Sequence, residues 1–169
     1  GREIVRIPLG QSAERRYGAP FWTVHRGDLQ AALADAAHPA LDVTVKPGIR
    51  LDDFAAHVNG VTVQAYRGRQ IVDERGVALI GADGIWSKVG ERLQMQRKPV
   101  FAHRTAWRAL VPAESVPLHF RSDVVNLWLG LDAHLVLYPV KGGDLINIVG
   151  IVNDEWNESG WQAEGDRAE

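Results

Sequence analysis

Cysteine is absent from the 169 residues, which excludes disulfides and thiolate chemistry and makes a reducing cytoplasm the default compartment. No apolar window approaches membrane-spanning length, and the opening GREIVRIPLG lacks the apolar core of a signal peptide. Charge of one sign is missing too. Nineteen basic residues against 21 acidic ones give a net charge of -2 without a basic stripe or long like-charge block, which argues against nucleic acid as a partner. His57, His103 and His119 are scattered, with no metal-ligand spacing. Ser87 sits in DGIWS, which is not a nucleophile elbow, and no Ser-His-Asp arrangement, repeat or low-complexity segment is present.

What is there is apolar and patterned. A hydrophobic content of 46% is enough for a real core in one domain, or in two small ones sharing a sheet. The segment REIVRIPL alternates like a strand already under way, and the polar close NDEWNESGWQAEGDRAE offers Trp156 and Trp161 little to pack against. The chain therefore reads as a piece of something longer. Phe21–His25 reads as a short strand entering a helix near Asp28, with Leu29, Ala32, Leu33 and Ala36 on one face and His38-Pro39 stopping it. LDVTVKPG reads as a further strand. Two or three short strands follow, broken at Asn59-Gly60, Gly68 and Asp73 to Gly76, and a strand then hands over to a helix through VALIGADGIWSKV. Strand, helix, strand, insert, strand, helix is an α/β layer. After Leu93 and a polar QMQRKP connection, RTAWRALVP, NLWLGL, HLVLYPV and LINIVGIV read as an antiparallel sheet uninterrupted by helix, with tight connections at Asp132 and Gly142-Gly143. The expected fold class is thus α/β grading into α+β.

Two turns carry candidate chemistry. In Gly81-Ala82-Asp83-Gly84, glycines at a strand-to-helix turn let backbone approach a ligand, and the helix start offers N–H groups to a phosphate. The same residues also read as a plain turn with Asp83 as an N-cap. Arg26, in HRGDL, occupies a similar turn, where its fixed fork suits phosphate or a flavin carbonyl, or else pairs with Asp28 on the surface. In HLVLYPV, strand alternation puts His134, Val136 and Tyr138 on one face, with Leu135 and Leu137 on the other. Trp107 and Arg108 alternate faces, so one of them at most shares the face of His134.

GAPFWTVHRGDLQAALADAA, LIGADGIWSKV, RTAWRALVP and HLVLYPVKGGDLINIVGIV together resemble, in family order and over nearly the whole chain, the middle of a single-component FAD-dependent aromatic monooxygenase of the salicylate hydroxylase and 3-hydroxybenzoate 6-hydroxylase kind. The resemblance implies residues 1–24 as strands joining the substrate sheet, 25–95 as a partial FAD-binding nucleotide layer and 96–169 as a mostly antiparallel substrate-binding sheet. GADGIWS matches the family's Asp-Gly motif. It further implies FAD held by Arg26, Asp83 and Gly84, with NADH or NADPH as co-substrate. His134 and Tyr138 match a family His and Tyr four apart that position and polarise a small phenolic or carboxylated aromatic substrate.

The sequence departs from the family in three places. It contains no Gly-x-Gly-x-x-Gly; the terminal EGDRAE does not supply the later Gly-Asp motif; and Gly90 follows WSKV where the family has arginine, with Lys88 and Arg92 the nearest compensating charges. Two readings follow. The chain is part of a flavin-dependent hydroxylase, or it is a non-catalytic remnant or split-chain module that folds without binding FAD alone, as a homo-oligomer or with a complementing chain. A related halogenase or reductase is a weaker third, against which the His-Tyr pair argues.

Overall fold

The computed structural model describes residues 2–95, 99–155 and 165; Trp156, Trp161 and most of EGDRAE lie outside the described residues. It divides into two compact units, residues 1–34 with 103–169, and residues 35–102.

The first unit is built on a four-stranded sheet. Its strands are β4 (Arg104–Pro112), β5 (Asn126–Leu129), β6 (Ala133–Val140) and β7 (Leu145–Asn153), in the order β4-β7-β6-β5 with every pairing antiparallel. These are the four runs whose apolar and β-branched content predicted them. Two short 3-10 turns, 113–115 and 118–120, separate β4 from β5, where an uninterrupted connection was expected. The turns have a purpose in packing: Val116 and Phe120 join Val111, Ala113, Leu137, Ile146 and Ile148 in one apolar cluster, with Ile146 fully buried. Phe120 also meets Trp128 edge to face, with 5.5 Å between ring centroids. One face of the sheet is therefore covered by its own connection. Two helices precede the sheet, α1 (Gln11–Tyr17) and α2 (Arg26–Ala37). Thr23 donates from Oγ1 to the Pro139 carbonyl at 2.7 Å, and Lys141 Nζ bonds Asp28 Oδ1 at 2.8 Å, so the start of α2 is tied to the β6–β7 turn.

The second unit contains a three-stranded meander, β1 (Ile49–His57), β2 (Gly60–Arg67) and β3 (Gln70–Gly76), paired antiparallel in chain order. Val61 and Ala65 on β2 are buried. A short helix, α3 (Lys88–Arg92), closes it, and Arg92 binds Asp53 of β1 through Nε at 2.7 Å.

Mixed helices and antiparallel sheets make this an α+β fold. Several expected elements differ. Residues 4–9, Phe21–His25, LDVTV and VALIG are not hydrogen-bonded into a ladder, so the expected parallel layer is not assembled among the described residues. A strand needs a neighbour to satisfy its backbone. The meander begins earlier than expected, because Ile49–His57 is a strand, and Asp73 to Gly76 continue β3 instead of breaking it. α1 was not anticipated, and α2 starts at Arg26, two residues before the expected Asp28. The expected apolar face of α2 covers nothing, since none of its residues is buried. No described helix is long and apolar enough to cross a membrane.

Candidate active site

β6 sets the geometry of the first cluster. Register pairs His134 with Ile151 of β7 and Leu129 of β5, Val136 with Val149 and Leu127, and Tyr138 with Asn147. Directly opposed residues in a sheet share a face. His134, Val136 and Tyr138 thus stand together, half-buried, on the face that turns away from the Ile146 cluster. Leu137 and Pro139 point the other way and are buried. Neither the His134 nor the Tyr138 ring is hydrogen-bonded to a described residue, and no described side-chain polar atom is buried without a partner. The two rings are open to an incoming group.

The same register resolves what alternation left undecided in TAWRAL. Trp107 opposes Gly150 and joins Leu135 and Trp128 on the covered face, whereas Arg108 opposes Val149 and shares the face of His134. The signal lies in the pairing with β7, which no single strand contains.

Arg26 is the first residue of α2 and is exposed. Its alternative partner is taken: the Asp28 carboxylate receives Lys141 Nζ and lies 3.3 Å from His25 Nδ1, and the lysine contact, ahead of the histidine, holds its pKa below the ordinary aspartate value. Arg26 makes no ion pair or hydrogen bond with a described residue, which leaves its fork available.

Asp83 and Gly84 belong to the second unit. The Asp83 carboxylate accepts Ser87 Oγ, the Lys88 N–H at 2.7 Å and the Val89 N–H at 3.2 Å. Ser87 is the N-cap of α3 and accepts the Gly90 N–H at 2.9 Å. Those bonds, the serine's first, lower the Asp83 pKa. Asp83 therefore staples its own turn. Gly84 has φ +78°, and a side chain there would meet nothing within 4 Å; conformation requires the glycine, and the space beside it is open. Gly81 is glycine for a different reason, because a Cβ would lie 2.7 Å from the Val89 side chain. Arg92, the nearest candidate for the missing family arginine, is committed to Asp53, and Lys88 lies 3.8 Å from Glu91.

No family model matches the chain. Among curated proteins it is 31% identical to 3-hydroxybenzoate 6-hydroxylase 1 of Aquipseudomonas alcaligenes, over 88% of this chain and 37% of that protein. The 3-hydroxybenzoate 6-hydroxylase of Polaromonas naphthalenivorans is 30% identical over 100% of the chain and 41% of its own length. The 3-amino-4-hydroxybenzoate 2-monooxygenase PtmB3 of Streptomyces platensis is 31% identical over 96% and 40%. Among solved structures, a salicylate hydroxylase substrate complex matches with TM-score 0.56 and 28% identity, over 83% of this chain and 36% of that one. The crystal structure of FqzB shares the fold at TM-score 0.62 and 20% identity, over 86% and 34%. The chain spans about two fifths of the length of the curated relatives it matches. Over that span it is similar to aromatic hydroxylases and monooxygenases, an FAD-dependent monooxygenase of Beauveria bassiana among them.

Proposed function

We propose that this chain carries the substrate sheet and part of the flavin site of an enzyme that hydroxylates a small phenolic or carboxylated aromatic compound with NAD(P)H and dioxygen. The observation that carries the reading is the pair of unbonded rings, His134 and Tyr138, on the open face of a sheet whose other face is the core. The relatives act on such compounds: 3-hydroxybenzoate and 3-amino-4-hydroxybenzoate appear in their names.

The residues present fit a flavin in part. Arg26 offers an uncommitted guanidinium to a phosphate or ring carbonyl. Gly84 offers backbone with no side chain in the way. Asp83 has a supporting role in this reading, since its oxygens already hold three donors and so fix the turn that presents Gly84. When bound, FAD would supply acceptance of reducing equivalents from NAD(P)H and delivery of one oxygen atom from dioxygen to the ring. The protein's share is orientation and proton handling. Tyr138 donates to or accepts from a substrate oxygen, and an imidazole nitrogen of His134 takes the phenolic proton as the ring becomes electron-rich. A cytoplasmic setting, where reduced pyridine nucleotide is supplied, goes with this reading, as does a second copy or complementing chain covering exposed apolar surface.

Titration of the purified chain with FAD, read by flavin fluorescence and by yellow colour retained through desalting, tests it. Saturable binding that weakens in Arg26→Ala supports the reading. Absence of binding at all accessible concentrations overturns FAD binding by this chain alone and favours the split-chain or remnant alternative.

A further inference from the structure

Arg108 stands out among the charges of the first unit. The four strands of its sheet, 104–112, 126–129, 133–140 and 145–153, contain no aspartate or glutamate. Their other arginine, Arg104, donates from Nη1 to the Asp132 carbonyl at 2.8 Å. Arg108 is exposed and makes no hydrogen bond or ion pair with a described residue. It lies midway along the edge strand β4, where register puts it in one row with Val149 and Val136, flanked along β6 by the rows of His134 and Tyr138. Two strand spacings, about 10 Å, separate the β4 and β6 backbones, and the floor between them is the two valines. A charged fork is set on one side of an apolar floor, and two uncharged hydrogen-bonding rings on the other.

We propose that Arg108 is the anion anchor of the substrate site and selects aromatic rings that carry a carboxylate. The ring lies over Val136 and Val149, its carboxylate takes the guanidinium in a bidentate pair, and its phenolic oxygen falls to His134 and Tyr138. Arginine suits this better than lysine would, since the planar fork fixes the carboxylate's direction as well as its place. An acid-free sheet leaves no internal competitor for that fork. The proposal rests on the open-face reading above and adds to it a preference for acids over their neutral counterparts.

The test is calorimetric binding to the full chain at saturating FAD, with 3-hydroxybenzoate and its uncharged amide, 3-hydroxybenzamide, as probes. Arg108→Met should weaken the acid by about tenfold or more and leave the amide within about twofold. Arg108→Lys should fall between, having charge without the fork. His134→Ala should weaken both probes. Unchanged melting of the Arg108 variants shows that the effect is not one of folding. Should Arg108→Met treat acid and amide alike while His134→Ala weakens both, the anchor is overturned and the open-face reading survives. Should neither probe bind the unsubstituted chain, both are overturned together.

Discussion

Gly84 and Gly81 sit three residues apart and are glycine for unrelated reasons, so the same substitution tests two different things. At Gly84 the backbone is left-handed with open space around it, and Gly84→Ala should cost about 1 kcal/mol in urea unfolding. At Gly81 the added methyl meets Val89, which is buried. Gly81→Ala should cost more, since both the turn and the start of α3 must shift. Asp83 has a pH signature with a definite sign. Its folded pKa lies below the ordinary aspartate value because it accepts Ser87 Oγ and the Val89 and Lys88 amides, so its contribution is full above that ordinary value and is lost as pH falls through the folded one. Protection factors at the Lys88 and Val89 amides, referred to the intrinsic exchange rate at each pH, should therefore fall below about pH 4, and Asp83→Asn should remove most of that acid dependence. Protection factors unchanged between neutral and acid pH would remove the carboxylate from any role in holding the turn.

Among the elements, the four-stranded sheet owes its stability to a small cluster, and truncation at its centre is the sharpest probe. Ile146→Ala should lower stability by about 3 kcal/mol in chemical denaturation, with the largest loss of exchange protection along β6 and β7. This sheet was legible in the sequence because each strand is a compact run of apolar and β-branched residues bounded by turn formers. The meander was less so. Its first strand shifts register between Leu51 and Asp53, and such a bulge breaks the two-residue alternation by which strands are recognised. The expected strands at Phe21–His25, LDVTV and VALIG are not paired in a sheet, because a ladder depends on neighbours that a local pattern does not report. The site was legible in a similar, partial way. The shared face of His134 and Tyr138 followed from one strand's alternation, whereas the inclusion of Arg108 followed only from pairing with β7. Asp83 carried two readings in the sequence; the N-cap of α3 is Ser87 and not Asp83, but the Asp83 bonds to the Lys88 and Val89 amides give it the turn-holding part of the plainer reading.

On the scale of the molecule, both units leave large apolar residues uncovered. Leu41, Val77 and Ile80, in segments without ladder partners, are almost wholly exposed, and Trp22 and Leu33 are largely so. Exposed apolar side chains in such number seek cover, and unpaired backbone is a template for further pairing. The isolated chain should bind a hydrophobic dye such as ANS and sediment as species larger than one chain, with Val77→Lys and Ile80→Lys reducing both. Monomeric sedimentation with no dye uptake would contradict this.

The sheet of the first unit packs one face against residues 111–120, around Leu137, Ile146 and Ile148, and leaves the other half-buried. Under the proposed reading, cohesion and recognition fall to alternate residues of the same strands. Mutation at positions 108, 134, 136, 138, 147 and 149 would then redraw what that face accepts with little penalty in folding, whereas mutation at Leu137, Ile146 or Ile148 strikes the core. A scaffold divided in this way can diversify in specificity while its core sequence stands still.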